Sequence, residues 1–261
     1  MPQNATLLLC GTALFALAGC EAKPKDAPQA VISPSASDVA IVSYVDTDKK
    51  PVLNPSVVTP APKPELYEPA PNDAEPFEIE AGFVPLSLID FEGFGNDAGT
   101  WTATADEIRC SGKPRGYLYS REDYQNFTWR LEYRFERPKS LADDLKFKGN
   151  TGFMVYINGE HKLWPVSLEV QGKHLQMAAI KENGGASPVT VREDDAVRQA
   201  VRAPVGQWNR LEIVSQDGSL TVRLNERDIS RAEPNFLSSG RIGIQAEDHP
   251  FVVRRLRIRR D

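Results

Sequence analysis

The chain has 261 residues, a formal net charge of −5 and an apolar content of 41%. Such a length fits one or two domains, and the mildly acidic balance offers no basic surface for nucleic acid. The 20 prolines are numerous and unevenly placed. Of the cysteines, Cys10 and Cys20 fall in or at the end of an apolar N-terminal run. Only Cys110 is left to the rest of the chain, so the mature protein is expected to hold no intramolecular disulfide. Cys110 itself reads as a small buried hydrophobe.

Residues Thr6 to Gly19 are apolar or small, too short a run to span a bilayer and suited to the core of a signal peptide. The run ends in Leu17-Ala18-Gly19-Cys20, which resembles the lipobox of bacterial lipoproteins, whose cysteine is acylated and opens the mature chain. Residues Met1 to Gly11 lack Lys and Arg, and an ordinary cleaved signal is the competing reading. Glu21 follows the cysteine where Asp marks inner-membrane retention, so in a diderm cell the outer membrane is favoured. The expectation is a cell-envelope protein held by lipid at Cys20. From Glu21 to Pro76 prolines recur with Ala, Asp and Lys, a composition that buries too little apolar surface to fold alone. This stretch reads as a semi-rigid tether, with Val39 to Val45 as a possible short strand.

The folded domain is expected over 77–261 and reads almost wholly as strands. Phe127 to Phe135 alternates strictly, with apolar odd and polar even positions, as a half-buried strand does. Asn150 to Ile157 and Val166 to Gln171 follow as strands about an Asn158-Gly159 turn. In the second, Leu168 and Val170 face one way while Ser167, Glu169 and Gln171 face the other. A carboxylate and an amide on one strand face, near Trp164, suit a sugar pocket; a plain solvated face is the alternative. His174 to Ile180 is a further candidate strand, and Asn183 to Pro204 reads as a surface excursion. Trp208 to Val214 and Leu220 to Leu224 form a hairpin about Gln216-Asp217-Gly218. Strands around Ile242 and from Phe251 to Arg259 close the chain, and no long stretch carries a helical period. Many short strands of this kind predict an all-β antiparallel sandwich.

Several segments together resemble the 3-keto-disaccharide hydrolase domain family. They are Gly82-Phe83-Val84-Pro85-Leu86, Gly116-Tyr117-Leu118-Tyr119, Tyr124-Gln125-Asn126-Phe127, Asn150-Thr151-Gly152 and Glu169-Val170-Gln171. Further on, Gly206-Gln207-Trp208-Asn209, Leu224-Asn225-Glu226, Gly240-Arg241-Ile242-Gly243-Ile244-Gln245 and Val253 to Ile258 keep the family's order. The resemblance implies a concanavalin-like jelly-roll β-sandwich, secreted or lipid-anchored. Tyr156 stands where the family often has Arg, Gly172 where it has Asp or Asn, and Arg255 where it has Asn.

The family name implies a sugar already oxidised at carbon 3. That carbonyl acidifies the hydrogen on carbon 2; a base removes it, and the enolate expels the group on carbon 1. Elimination of this kind needs a positioned base and a donor for the developing oxyanion, not a glycosidase carboxylate pair. Glu169 is the candidate base, with a metal-ligand role as its alternative. Gln171, Gln245 and His249 are candidate donors, and His249 is also a second candidate base. Asn150, Tyr156 and Trp164 are expected at the substrate. Trp101, Tyr119, Trp164 and Trp208 are of a type that stacks on sugars, though packing is the commoner use. Arg254, counted by strict alternation, falls on the apolar face of Leu256 and Ile258, which requires a paired carboxylate or a bulge. No His/Cys/Asp/Glu spacing marks a zinc site, and no phosphate loop or Ser-His-Asp signature occurs. No cofactor is expected, a divalent metal at Glu169 apart. Three functions remain open: an enzyme of 3-keto-glycosides, a carbohydrate-binding module, and a structural or partner-binding lipoprotein.

Overall fold

The computed structural model describes residues 77–261. The lipobox with Cys20, the tether and the Val39 to Val45 segment lie outside the described residues.

In chain order the first strands are β1 (Val84–Pro85), β2 (Phe91–Phe94), β3 (Trp101–Ala103), β4 (Glu107–Cys110) and β5 (Gly116–Tyr124). Then come β6 (Phe127–Phe135), β7 (Gly152–Asn158), β8 (Val166–Gln171), β9 (Ile180–Asn183) and β10 (Val191–Glu193). A helix α1 (Asp195–Val201) precedes β11 (Asn209–Gln216), β12 (Ser219–Leu224), β13 (Arg227–Ala232), β14 (Gly240–Ala246) and β15 (Phe251–Arg260). The strands make two antiparallel sheets. The larger has nine strands in the order β10-β13-β12-β11-β6-β15-β4-β3, with β1 on β15; the smaller has six in the order β2-β5-β14-β7-β8-β9. This is the antiparallel sandwich that the alternating pattern predicts, in the jelly-roll form that the family resemblance implies.

Alternation decides which residues meet between the sheets. Phe127, Trp129, Leu131, Tyr133 and Phe135 of β6 all point inward, and Phe153, Val155, Leu168 and Val170 answer from β7 and β8. Phe153 sets its ring edge-to-face against Tyr133 at 4.9 Å and Trp129 at 6.0 Å, joining the two layers. Each such side chain taken from water is worth about 1.5–3 kcal/mol. Cys110 lies in the same core, and burial pushes its thiol up to about 12.

The hairpin of β11 and β12 turns where the sequence places it. Asp217 and Gly218 both take positive φ, 50° and 81°, and Gln216 pairs with Ser219. Two other segments differ from expectation. His174 to Gln176 is a 3₁₀ turn, and Ala178 has φ 65°, so the strand begins only at Ile180. The loop doubles back on β8 instead, with Ala178 N–H donating to the Gln171 carbonyl at 2.8 Å. Within the polar excursion, α1 is too short for its period to show. Its start is capped by the Asp194 carboxylate, which accepts from Val197 N–H at 2.9 Å. Buried Arg198 fastens it to the Met177 carbonyl at 2.7 Å and, within the helix, bonds the Asp195 carboxylate at 2.7 Å.

Two bulges set the facing of whole strand segments. In β15 the register shifts between Arg254 and Arg257, and Arg255 takes φ 55°. Arg254 therefore lands on the outer face, where it donates to buried Glu132 at 2.8 Å and lies over the Trp208 ring at 4.0 Å. In β7 the register shifts between Val155 and Asn158, and Tyr156 takes φ 58°. That extra residue turns Tyr156 into the core, with its hydroxyl 2.6 Å from Ser215 Oγ of the opposite sheet. The expectation that Tyr156 contacts substrate is thereby overturned: it is fully buried and ties the sheets together.

Candidate functional site

The outer face of the small sheet collects the polar residues that its core face rejects. On β8, Ser167, Glu169 and Gln171 point outward because Leu168 and Val170 are held in the core. On β14 the same rule sends Arg241, Gly243 and Gln245 outward while Ile242, Ile244 and Ala246 pack inside. Register then aligns these strands in rows. One row runs Glu92, Tyr119, Gly243, Met154, Glu169 and Lys181; the next runs Tyr117, Gln245, Gly152 and Gln171. The middle of these rows is filled: Met154 is fully buried in a small apolar cluster with Tyr117 and Ile157, and Ile157 Cδ1 lies 2.7 Å from where a Cβ of Gly243 would stand. The face has an acidic-amide wall on one side of this cluster and an aromatic wall on the other.

Gly152 is required for the acidic wall. A Cβ there would lie 2.3 Å from Gln245 Oε1 and 2.5 Å from Glu169 Oε1. Its absence lets the two side chains meet above the sheet. Glu169 is part-buried, and its carboxyl is pushed up to about 7, chiefly by burial and secondarily by the nearby Glu247 carboxylate. Lys181 and hydrogen bonds from Gln245 and Gln171 pull the other way but do not prevail. Gln245 is 1% exposed, and its Oε1 has no hydrogen-bond partner. An unsatisfied buried amide oxygen beside a carboxyl that titrates near neutrality is a ready acceptor when that carboxyl is protonated. Gln171 is buried too and accepts from Lys173 N–H at 2.9 Å.

Asn150 enters one step removed. Its side-chain amide donates to Glu247 at 2.5 Å, and its own Oδ1 is buried without a partner. Asn150 thus orients the carboxylate that raises Glu169. His249 is not joined to this group: its ring packs edge-on against Phe147 at 5.6 Å, and its Nδ1 is buried without a hydrogen bond. The pairing of His249 with Glu169 on one centre is therefore not what the fold builds. Trp164 is part-buried in the loop between β7 and β8. Trp101 packs on Phe251, and Trp208 is held on the other sheet between Arg134 and Arg254, so neither stands beside Glu169.

The aromatic wall was not singled out from the sequence, apart from Tyr119. Tyr117 is fully buried, and its hydroxyl lies 2.8 Å from His161 Nδ1. The His161 ring stacks on Tyr119 at 4.1 Å, with Phe94 at 6.1 Å. Arg241 lies 5.1 Å over Tyr119, and the Tyr119 hydroxyl donates to Glu92 at 2.8 Å. Burial, followed by the Arg241 charge, holds His161 below its ordinary value. Tyr117, Glu247 and Arg241 were legible in principle, since each stands at a period-two distance from Tyr119 or Gln245. His161 sits in a loop and carried no such signal.

Glu169 and Glu247 interact, yet among the described residues no group of three or more His, Cys, Asp and Glu side chains gathers to hold a metal ion. A concavity of about 910 Å³ lies on the opposite sheet, lined by Glu80, Arg130, Glu132, Arg210, Glu212 and Arg255 among others. Apart from Asp194, which caps α1, its carboxylates are met by guanidinium groups, as Glu132 is by Arg210, Arg254 and Arg255. Charges so fully paired brace a surface; they do not leave a base free to react.

Two antiparallel sheets in this strand order make a sandwich of the jelly-roll class. The chain belongs to the family of 3-keto-alpha-glucoside-1,2-lyase-like domains, whose model matches residues 87–259. No curated protein matches it. A candidate glycosyl hydrolase from Parabacteroides distasonis ATCC 8503 is similar in structure, with TM-score 0.51 and 18% identity, over 69% of this chain and 99% of that one. A carbohydrate binding module from Bacillus subtilis gives TM-score 0.45 and 14% identity, over 65% of this chain and 95% of that one. At such identities the likeness is one of fold.

Proposed function

We propose that the domain cleaves 3-keto-glycosides by elimination, with Glu169 as the base, and that lipid at Cys20 holds it in the cell envelope. One observation carries the enzymatic part: Glu169, with its carboxyl pushed up to about 7, stands on the outer face of the small sheet beside the Gln245 and Gln171 amides. A base works best when its pKa lies near the working pH, because it is then both ionised and strong enough to take the proton. Glu169 removes the hydrogen from carbon 2, activated by the ketone on carbon 3. The electron pair passes to the ketone oxygen and returns to form the bond between carbons 1 and 2. The bond from carbon 1 to the leaving oxygen breaks, and that oxygen leaves with the pair and is protonated. Gln245 serves both states of Glu169, donating to the carboxylate and accepting from the acid. Family membership and the row of aromatic side chains support a sugar as the ligand.

The test is to follow leaving-group release from a 3-keto-glucoside, with the unoxidised glucoside as control. Wild type is expected to act only on the oxidised sugar, and Glu169→Gln to lose about 10²–10⁴-fold in rate while still binding it. Equal release by both proteins would remove Glu169 from the role of base. Inert wild type that binds ordinary glycans would make the domain a carbohydrate-binding module, the reading that the stacked Tyr119 and His161 rings favour. For the anchor, Cys20→Ser is expected to abolish acyl labelling and to move the protein out of the membrane fraction; retained label would overturn it.

A further inference from the structure

The loop between β7 and β8 does not stand clear of the sandwich. It covers 159–165, and Glu160, Lys162 and Leu163 in it are exposed. His161 reaches down to the outer face of the small sheet. Its ring stacks on Tyr119 of β5 at 4.1 Å and lies 6.1 Å from Phe94 of β2, and the Tyr117 hydroxyl meets its Nδ1 at 2.8 Å. Beside this contact Tyr117, Met154 and Ile157 form a buried apolar cluster of their own, with Phe94 and Tyr119 packed against it. The loop has a second tie, from Lys162 Nζ to the Gly184 carbonyl at 2.9 Å. At its start Gly159 takes φ 74°, and a Cβ there would meet nothing within 4 Å among the described residues, so no packing holds the chain at that point.

The bond between His161 and Tyr117 has a direction. Tyr117 is fully buried, and burial pushes its hydroxyl up to about 12, so it keeps its proton. A buried hydroxyl must place that proton on an acceptor, and the His161 Nδ1 is the acceptor the fold supplies. Nδ1 is then the bare nitrogen of a neutral ring. A second proton on the ring turns Nδ1 into a donor and leaves the Tyr117 hydrogen buried without a partner. The charged groups about the ring are few. Arg241 of β14 lies 5.1 Å over Tyr119, and Glu92 of β2 is already bonded to Tyr119 and Arg121. Glu160 and Lys162 flank the ring in the loop and face water. Burial and then the Arg241 charge disfavour the imidazolium, with Glu92 favouring it less strongly.

We propose that the β7–β8 loop is a pH-released strap over the small sheet, latched by His161 on Tyr117 and Tyr119 while the ring is neutral and let go when the ring takes its second proton. In the open loop the imidazolium is hydrated and the Tyr117 hydroxyl meets water, so both costs are relieved together. The closed form binds that proton poorly, so opening has its midpoint below the ordinary histidine value of about 6.5. What opens is the apolar cluster of Tyr117, Met154 and Ile157, with Phe94 and Tyr119 at its rim. The strap holds whether or not Glu169 is a base.

Two probes follow the full chain as pH falls from about 7.5 to about 4.5, a range that brackets histidine titration. Trp164 rides on the loop and reports its surroundings by fluorescence, and 1-anilinonaphthalene-8-sulfonate reports uncovered apolar surface. Both signals are expected to change together, with a midpoint below about 6.5, while circular dichroism shows the sheets intact. His161→Gln keeps an acceptor for Tyr117 but takes up no proton, and both signals are expected to stay flat in it. Tyr117→Phe removes the bond and leaves the rings stacked; its closed form is weaker, so the midpoint is expected to rise toward the ordinary histidine value. Changes of equal size in His161→Gln and wild type would assign them to other groups and overturn the proposal, and so would flat signals in wild type. Nitrogen-15 spectra of the wild-type ring need no variant to fold. A ring that titrates at or above about 6.5, or that carries its single hydrogen on Nδ1, would overturn the latch by itself.

Discussion

A raised carboxyl works against stability as well as serving chemistry. The folded chain holds the Glu169 proton up to about 7, whereas the unfolded chain releases it near 4.5. The folded state therefore binds the extra proton between those values. The stability that this proton confers is fully present below pH 4.5 and is lost as pH rises through about 7. Activity runs the opposite way, since the base form appears as pH climbs through the same range. Glu169→Gln removes the charge that burial penalises. Its melting temperature is expected to exceed that of wild type at pH 8, with the gap closing by pH 4.5. A gap of one size at all pH values would mean that the raised carboxyl is not its cause. Gly152→Ala tests the floor beneath. The added methyl meets Gln245 and Glu169 rather than backbone, so the fold is expected to survive while both side chains are pushed aside. Displacement on that scale costs about 10²-fold in rate. The pH midpoint of activity should also fall, as Glu169 is driven toward solvent, and an unmoved midpoint would count against this account of how Gly152 seats Glu169.

At the scale of strands, period-two alternation is a strong signal until an extra residue interrupts it. β6 read correctly from Phe127 to Phe135 because nothing breaks its count. The outward facing of Glu169 and Gln171 read correctly for the same reason. Tyr156 misled because it adjoins a bulge, and a bulge has no fixed sequence signature when its positive-φ residue is not glycine, whereas Arg254, which had to have a paired carboxylate or a bulge, has both. The site was half legible. Its acidic wall came from alternation within single strands, but the aromatic wall depends on which strand lies beside which. The order β5-β14-β7-β8 places Tyr117 and Tyr119 across from Glu169, and local pattern does not encode that order. The β7 bulge offers a test of this division between faces. Tyr156→Phe keeps the ring in the core and loses the bond to Ser215. It is expected to lower stability by about 1 kcal/mol in a urea titration, while leaving-group release stays at the wild-type rate. A large loss of activity without loss of stability would return Tyr156 to the substrate.

Taken whole, the molecule uses its two outer faces differently. The small sheet carries Glu169 with its amides, and the large sheet carries a network of paired Arg and Glu. The described chain begins on the second of these. The Phe77 ring lies 4.8 Å under the guanidinium groups of Arg255 and Arg257. Three residues on, Glu80 bonds Arg257 at 2.6 Å and Arg130 at 3.1 Å, and these partners hold its carboxyl at about 2. The described chain therefore begins on the face away from Glu169. The boundary of the fold is sharp by this argument, and it can be cut on either side. Deleting 21–76 is expected to leave the melting temperature within about a degree, because a proline-rich stretch of that composition adds little core. Deleting 21–80 removes Phe77 and Glu80 and leaves Arg257 without its carboxylate, so a clear drop is expected. The drop should shrink as pH falls below 4.5 toward 2. A carboxyl held low stabilises above its unfolded value and loses that effect as it takes up its proton. A large loss already in the shorter deletion would show that residues before Phe77 pack onto the sandwich.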